Sequence, residues 1–474
     1  MTLVDRLTEI VGSAHVLTGA ETAAYSKDWA GKYAWQPLAV LRPSTTDAVS
    51  AILRLAHADG VTVVPCGGRT GLTGAIAAEG AIMLSLERMN RIHSVRPEAR
   101  TATVEAGVIL TQLHEAAEAE GLYFPLWFGA RGSATIGGVL STNAGGSNVL
   151  RYGSARALCL GLEVVLADGR VMSLMSELHK DNSGYDLKDL FIGAEGTLGV
   201  ITAAVMRLVP RPRAHATAML AVASLPDALA LLNRLQDATG GLVEAFEFMP
   251  RNYMEQLRAR RPDLGMPFAT IHDVTILVEL GATAPRDTAP AADGSLPLTG
   301  LLEDTLGAMF KDGLILDAVI ATSEAQRRVL WARREAAAEI ATGVGHTVDF
   351  DVALPLDRIE IFLSRIEETV GRIDARACLN TVGHLGDGNI HLAVFTTRKD
   401  ALLDDELTEA VEDIVAELGG SFSAEHGIGQ SKLPSMRRRK DPVALEMMRA
   451  VKAAFDPKGI LNPGKTVPEA RLSE

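Results

Sequence analysis

Along Ser44–Gly74, STTDAVSAILRLAHADGVTVVPCGGRTGLTG, the apolar residues Ala48, Ile52, Leu55 and Ala56 are spaced for one face of a helix behind a Ser/Thr cap. Gly60 closes that helix, Val61–Val64 form a short strand, and Pro65 opens a glycine-rich loop. AIMLSL, starting at Ala81, reads as the next strand. The order is strand, glycine loop, strand. A Rossmann site needs a helix after its glycines so that the helix N-terminus meets a pyrophosphate. GGRTGLTG lacks that helix, which argues against a nicotinamide cofactor. Glycines can still bring backbone N–H groups close to a phosphate without one.

Two more segments are dense in glycine: GARGSATIGGVLSTNAGGSNVLRYGSAR (Gly129–Arg156) and KDNSGYDLKDLFIGAEGTLGVIT (Lys180–Thr202). Together with the first they suggest one large ligand lying across a domain, although plain loops share the composition. Near Arg211 the texture changes: RLVPRPRAHATAML breaks a strand with prolines and begins a fresh apolar run, a plausible boundary. Helix-like and strand-like pieces then alternate to about Val394, with a flexible loop at Gly281–Gly300 and no fixed repeat.

Asn380–Val394, NTVGHLGDGNIHLAV, carries His384 and His391 around Gly-Asp-Gly. In a single strand an odd separation sends two side chains to opposite faces. A tight turn at Asp387-Gly388 folds the chain back and lets both rings meet. The plainer alternative is a hairpin with two half-buried histidines.

At 474 residues the chain has room for two or three domains, and 47% hydrophobic with 22% charged residues is ordinary globular composition. With 46 basic and 59 acidic residues the net charge is −13, which argues against a nucleic-acid or anionic-membrane partner. The RRRK run at Arg437–Lys440 reads as a solvated helix end. Cys66, Cys159 and Cys378 lie far apart and form neither a disulfide framework nor a thiolate metal site. Asp5 and Glu9 interrupt the N-terminus, so no signal peptide is expected, and no later apolar run is long enough for a transmembrane segment. The expected location is a reducing cytoplasm.

In order along the chain, PCGGRTGL, GSATIGGVLSTNAGG, KDNSGYDLKDLFIGAEGTLGVIT, GHLGDGNIH, SAEHGIG and FDPKGILNPGK resemble the motifs of the FAD-linked 2-hydroxy acid dehydrogenases. These belong to the vanillyl-alcohol oxidase/p-cresol methylhydroxylase superfamily and include D-2-hydroxyglutarate dehydrogenase, D-lactate dehydrogenase and the flavoprotein subunit of glycolate oxidase. The likeness runs from about Pro37 to Lys465. It implies an α+β protein: a two-subdomain FAD-binding domain of the p-cresol methylhydroxylase type over 1–211, and a mixed-sheet cap domain with a metal site over 212–454. A C-terminal segment, 455–474, would return to the FAD domain. By the same resemblance, Gly67, Gly68, Arg69, Thr70, Gly71 and Leu72 wrap the pyrophosphate. Gly132, Ser133, Gly137, Thr142, Asn143, Gly199 and Ile201 line the rest of the FAD, and Asn462 lies near the isoalloxazine. Arg69 stands where relatives often carry Asn, leaving the glycine frame intact. With no histidine in that loop, the FAD is expected to be non-covalent.

SFSAEHGIG supplies Glu425 and His426, which in an extended segment point to opposite sides. Two imidazoles and one carboxylate form a catalytic zinc set with an open position. The resemblance assigns His384, His391 and Glu425 to the metal and His426 to acid–base work; zinc leads, with Mn2+ or Fe2+ suiting the same ligands. Oxidising a 2-hydroxy acid removes the hydroxyl proton and a hydride from C2. A divalent cation acidifies the hydroxyl, a histidine takes the proton, and the flavin takes the hydride. In LWARREAAAEI (Leu330–Ile340) the family pattern selects Arg334 over Arg333 to anchor the substrate carboxylate. The alternative is a surface helix whose arginine pairs with Glu335 or Glu339. Ala338 and Asp349 fall where D-2-hydroxyglutarate dehydrogenases hold the distal carboxylate, and an aspartate there repels one. Either another basic residue replaces that clamp, or the substrate is a monocarboxylate such as D-lactate or a larger hydrophobic 2-hydroxy acid. With no second cofactor motif, electrons leave to an external acceptor: electron-transfer flavoprotein, a quinone or a cytochrome. Assembly as a homodimer is left open. An alkyldihydroxyacetonephosphate synthase-like transferase, which shares the fold and uses FAD without net redox, is the alternative activity.

Overall fold

The helix expected behind the Ser/Thr cap spans Thr46–Asp59: the Thr45 side chain accepts the Ala48 amide, and Gly60 ends it in the left-handed conformation. The computed structural model describes residues 1–29, 31–292, 294–341 and 345–470. The chain packs as two units, one built from 1–145, 153–210 and 425–474, the other from 146–152 and 211–424. The tail that joins the first unit therefore starts at Glu425, ahead of the expected 455. The physical reason is backbone pairing: the Gln430 and Ser431 amides bond the Thr73 carbonyl at 3.0 and 3.1 Å.

In the first unit, Ala39–Leu41, Ile82–Ser85 and Val63–Cys66 form a parallel sheet, with Val16–Leu17 antiparallel at the far edge. The strand read as Val61–Val64 is shifted to Val63–Cys66. Pro65 is tolerated inside it because the strand lies at the end of its sheet, where a missing N–H costs no ladder bond. The tail runs alongside: Val63 N donates to the Ile460 carbonyl (2.8 Å) and Asn462 N to the Val63 carbonyl (2.9 Å). A second, antiparallel sheet takes the order Ile92–Arg96, Thr101–Glu105, Val200–Arg207, Cys159–Val165, Val171–Leu174. Val49, Ile52, Leu53 and Ala56 of the helix and Leu84, Val104, Leu162 and Ala204 of the strands share one core.

The second unit is a seven-stranded sheet in the order Asp317–Ile320, Ala214–Val222, Val274–Ala282, Val243–Pro250, Cys378–His384, Asn389–Phe395, Thr347–Ala353. Every pairing in it is antiparallel, which refines the mixed cap sheet expected, because its connections are hairpins or helices returning antiparallel. Side chains alternate between faces along each strand. Phe246, Phe248, Ile276, Val278, Ile390 and Leu392 face helices Leu225–Thr239, Pro297–Lys311, Ile359–Ile373 and Ala401–Glu417. Met219, Met249, Leu277 and Val382 face the other way, toward helices Arg251–Arg260, Glu324–Glu335 and Ala337–Ala341. The loop expected over Gly281–Gly300 is shorter: Gly281 and Ala282 end the strand Val274–Ala282, Pro297–Gly300 begin the helix Pro297–Lys311, and the short helix Pro285–Thr288 lies between. The RRRK run ends helix Leu433–Arg439, with Arg437 and Arg438 exposed. Among the described residues no helix is long and apolar enough to cross a membrane.

The hairpin turn needs Gly388. Its φ is +83°, and a Cβ there would meet the Leu354 carbonyl oxygen at 2.3 Å, a backbone atom with little freedom to yield. Gly388→Ala is expected to cost about 1–3 kcal/mol from overpacking. Urea denaturation of the two proteins measures it, and equal midpoints would show that the turn relaxes instead.

Candidate active site

The two histidines meet. In the hairpin His384 faces Asn389 and His391 faces Val382, and cross-strand partners share a face, so the turn cancels the odd separation. The ring centroids lie 5.5 Å apart at 84°. The same face carries Glu247, registered beside His384 on the neighbouring strand, and Asp351, beside His391. His384 Nδ1 and Glu247 Oε1 are 2.8 Å apart. Asp351 is buried, accepts from Asn389 Nδ2 at 3.0 Å, and lies 3.7 Å from His391 Nδ1.

Arg334 reaches this face from helix Glu324–Glu335. It is only 9% exposed, and its Nε donates to Glu247 Oε2 at 2.8 Å. The pairing with Glu335 or Glu339 does not occur: the adjacent Glu335 points out to solvent, and the helix breaks at Ala336 before Glu339. Arg333 is engaged elsewhere, donating to the Gly265 carbonyl at 3.1 Å. Burial alone would push the Glu247 carboxyl up, but His384 and Arg334 outweigh it and hold the pKa at about 2. The helix is itself fixed by Glu279, whose two oxygens take Arg327 Nε and Nη2 at 2.7 and 2.6 Å and Trp331 Nε1 at 2.8 Å. His215, Glu244 and Glu279 also cluster closely enough to hold a metal ion. Arg151, Arg327 and Trp331 already occupy those carboxylates, which makes the cluster a structural ion network. Ala338 and Asp349 are both exposed, and Asp349 faces the same side as Asp351.

In the first unit the predicted FAD residues divide by what surrounds them. A Cβ on Gly67 would meet Thr135 Oγ1 at 2.5 Å, on Gly68 the Ser133 carbonyl oxygen at 2.0 Å, and on Gly137 the Ala106 Cβ at 2.7 Å. These three glycines let neighbouring segments approach closely. A Cβ on Gly71 or Gly132 would have nothing within 4 Å, so open space lies beside each of them. Arg69 has φ +58° and sets its guanidinium 4.4 Å over the Tyr25 ring; Thr70 is half-buried, and Leu72 and Ser133 are exposed. Thr142 Oγ1 donates to the Gly138 carbonyl at 3.3 Å, and Asn143 Oδ1 accepts from Ser154 Oγ and the Arg156 amide. The Ile201 side chain is in the core, and a Cβ on Gly199 would strike Val164 at 2.5 Å. Asn462 Nδ2 donates to the Ala75 and Glu195 carbonyls at 3.0 and 2.7 Å, while its buried Oδ1 has no partner among the described residues. That orphaned acceptor and the open space beside the two glycines are what a polar cofactor would use.

Glu425 and His426 do not project to opposite sides. The chain bends over 424–426, and His426 Nε2 lies 3.9 Å from Glu425 Oε1. Gly427, at φ +77°, continues the bend.

Glu247, Asp351 and Asn389 were not singled out from the sequence. The available signal was a pair of acids inside an otherwise apolar strand: Glu244 and Glu247 in VEAFEFMP, Asp349 and Asp351 in VDFDVA.

Residues 211–466 match the family described as FAD linked oxidases, C-terminal domain, and residues 37–175 match the FAD binding domain family. The chain is 37% identical to a D-2-hydroxyglutarate dehydrogenase of Stutzerimonas stutzeri over 98% of each chain. It is 38% identical to the mitochondrial D-2-hydroxyglutarate dehydrogenase of Bos taurus, covering 93% of this chain and 79% of that one. A D-2-hydroxyglutarate–pyruvate transhydrogenase of Saccharomyces cerevisiae is 33% identical over 94% and 90%. The fold is similar to that of p-cresol methylhydroxylase with substrate bound (TM-score 0.76, 15% identity, 98% and 96% covered). It is also similar to that of alkyldihydroxyacetonephosphate synthase (TM-score 0.72, 15% identity, 97% and 84% covered).

Removing Glu247 strands a buried guanidinium. Glu247→Ala is expected to destabilise the protein by about 3–5 kcal/mol. Because the folded pKa of Glu247 is depressed, its contribution is complete above the ordinary value of 4.5 and is lost as pH falls toward about 2. The gap between wild type and Glu247→Gln in urea midpoint should therefore narrow over that window; a gap independent of pH would refute the pairing.

Proposed function

Because the chain belongs to the family of FAD-linked oxidases, we propose that it oxidises a D-2-hydroxy acid to the 2-oxo acid with FAD and a divalent metal ion. The observation that carries this reading is the pair of converging imidazoles beside a buried carboxylate–arginine couple on one sheet face. When bound, FAD supplies the hydride acceptor and the metal ion the Lewis acidity that loosens the substrate hydroxyl proton.

His384, His391 and Glu425 hold the ion, zinc before manganese or iron(II). Support comes from Glu247: by engaging Nδ1 of His384 it leaves Nε2 as the ligand atom, the usual arrangement behind a metal-bound histidine. Arg334 presents its guanidinium fork to the C1 carboxylate while Glu247 fixes Nε. His426 takes the hydroxyl proton. Gly67–Leu72, Gly132, Ser133, Gly137, Thr142, Asn143, Gly199, Ile201 and Asn462 receive the FAD, through backbone amides where their side chains are engaged in packing.

The relatives' names point to D-2-hydroxyglutarate, whereas Asp349 at the distal position disfavours a second carboxylate. Turnover of D-lactate, D-2-hydroxyglutarate and D-mandelate, compared side by side, decides the substrate. Electrons pass to electron-transfer flavoprotein, a quinone or a cytochrome. Three free cysteines accord with a cytoplasmic location.

Purified protein should be yellow, and anaerobic addition of the preferred hydroxy acid should bleach it. A flavin that stays oxidised with every acid of the panel would point instead to transferase chemistry of the alkyldihydroxyacetonephosphate synthase kind. His384→Ala and Glu425→Ala should lose metal and activity but keep FAD. His426→Ala should keep both cofactors and lose about 10²-fold or more in rate, with partial recovery at high pH as hydroxide replaces the imidazole. Loss of metal from the His426 variant but not from the His384 variant would reverse the assignment.

A further inference from the structure

Glu195 is a carboxylate with no role in the scheme above, and its surroundings are unusually determined. Its backbone is left-handed, φ +52°, a conformation strained for any residue with a side chain. The strain is held from both sides: its amide donates to the Ser141 carbonyl at 2.8 Å, and its own carbonyl accepts Asn462 Nδ2 at 2.7 Å. The side chain is buried, and burial pushes its carboxyl above the ordinary range. Strain and desolvation together need a purpose. The carboxylate spans two consecutive amides: Oε1 accepts from Ile428 N and Oε2 from Gly429 N, both at 2.8 Å.

Those amides belong to the loop that follows His426. The loop can approach the carboxylate because Gly427 has no side chain; a Cβ there would meet Glu195 Cδ at 3.0 Å. Beyond it the Gln430 and Ser431 amides bond the Thr73 carbonyl, and a Cβ on Gly429 would strike that same oxygen at 2.3 Å. The segment bearing Glu425 and His426 thus leaves its bend into a stretch with its backbone fixed.

We infer that Glu195 is a positioning residue, whose carboxylate clamps the 427–429 loop and so sets the orientation of Glu425 and His426. The inference rests on the proposed roles of those two residues, not on any contact of Glu195 with substrate. Displacing a reacting group by about 1 Å can cost about 10²-fold in rate.

Glu195→Gly tests it, since glycine tolerates the left-handed backbone without strain while removing the side chain and its carboxylate. The expected result is kcat lower by about 10²-fold, KM for the hydroxy acid and FAD absorbance unchanged, and faster amide exchange across 425–430. Glu195→Gln keeps one oxygen acceptor and should lose less. In a His426→Ala background Glu195→Gly should cost much less than in the wild type, because the part of its effect exerted through His426 is already lost and only the part through Glu425 remains. Equal fold-losses in the two backgrounds, or unchanged exchange across 425–430, would overturn the inference. If Glu195→Gly does not fold, Glu195→Gln is read by the same measures, and wild-type rate with unchanged exchange overturns it. A His426→Ala enzyme with full activity would remove the base assignment, leaving the exchange measurement to decide the clamp alone.

Discussion

One fully buried carboxylate, Glu247, organises the second unit. Taking an ion out of water costs several kcal/mol even after relaxation, and only close geometry with every lone pair engaged offsets it. Glu247 offsets that cost by facing an imidazole with one oxygen and a guanidinium with the other, each at 2.8 Å. Its position gives the pairing further weight. The strand Val243–Pro250 joins Cys378–His384 through only two registered pairs, one of them Glu247 with His384. At that seam between the halves of the sheet, one side chain sets the imidazole's free nitrogen, seats the arginine and adds a polar tie across thinly paired strands.

Local features were readable from the chain because local physics determines them. The Thr46–Asp59 helix has its cap, its stripe and its terminating glycine within one window, and the hairpin has its turn residues between two apolar runs. The acids were not readable. Glu247 and Asp351 are polar residues in apolar strands, and their value comes from the register of strands distant in sequence. The bend at Glu425–His426 escaped for a related reason. A two-residue parity argument assumes an extended backbone, and the left-handed glycine that follows is a signal against that assumption.

The glycine motifs carried a second ambiguity. Gly67, Gly68 and Gly137 exist so that one segment can lie against another, whereas Gly71 and Gly132 border open space. Both demands write the same letter. Only the atoms a Cβ would meet separate a packing glycine from one beside open space.

The threading of the chain bears on how the protein is made. The second unit is nearly continuous, drawing on 146–152 and 211–424, so all of it has been synthesised before residue 425. The first unit has to wait. Its strand Val63–Cys66 pairs with Ile460–Asn462, and Lys452 donates to the carbonyls of Thr197 and Leu461, contacts that exist only when the last residues are present. Vectorial synthesis, which usually favours the N-terminal domain, here favours the later-encoded unit. A ribosome that stalls late has made every residue of the second unit while the first still lacks its closing segment.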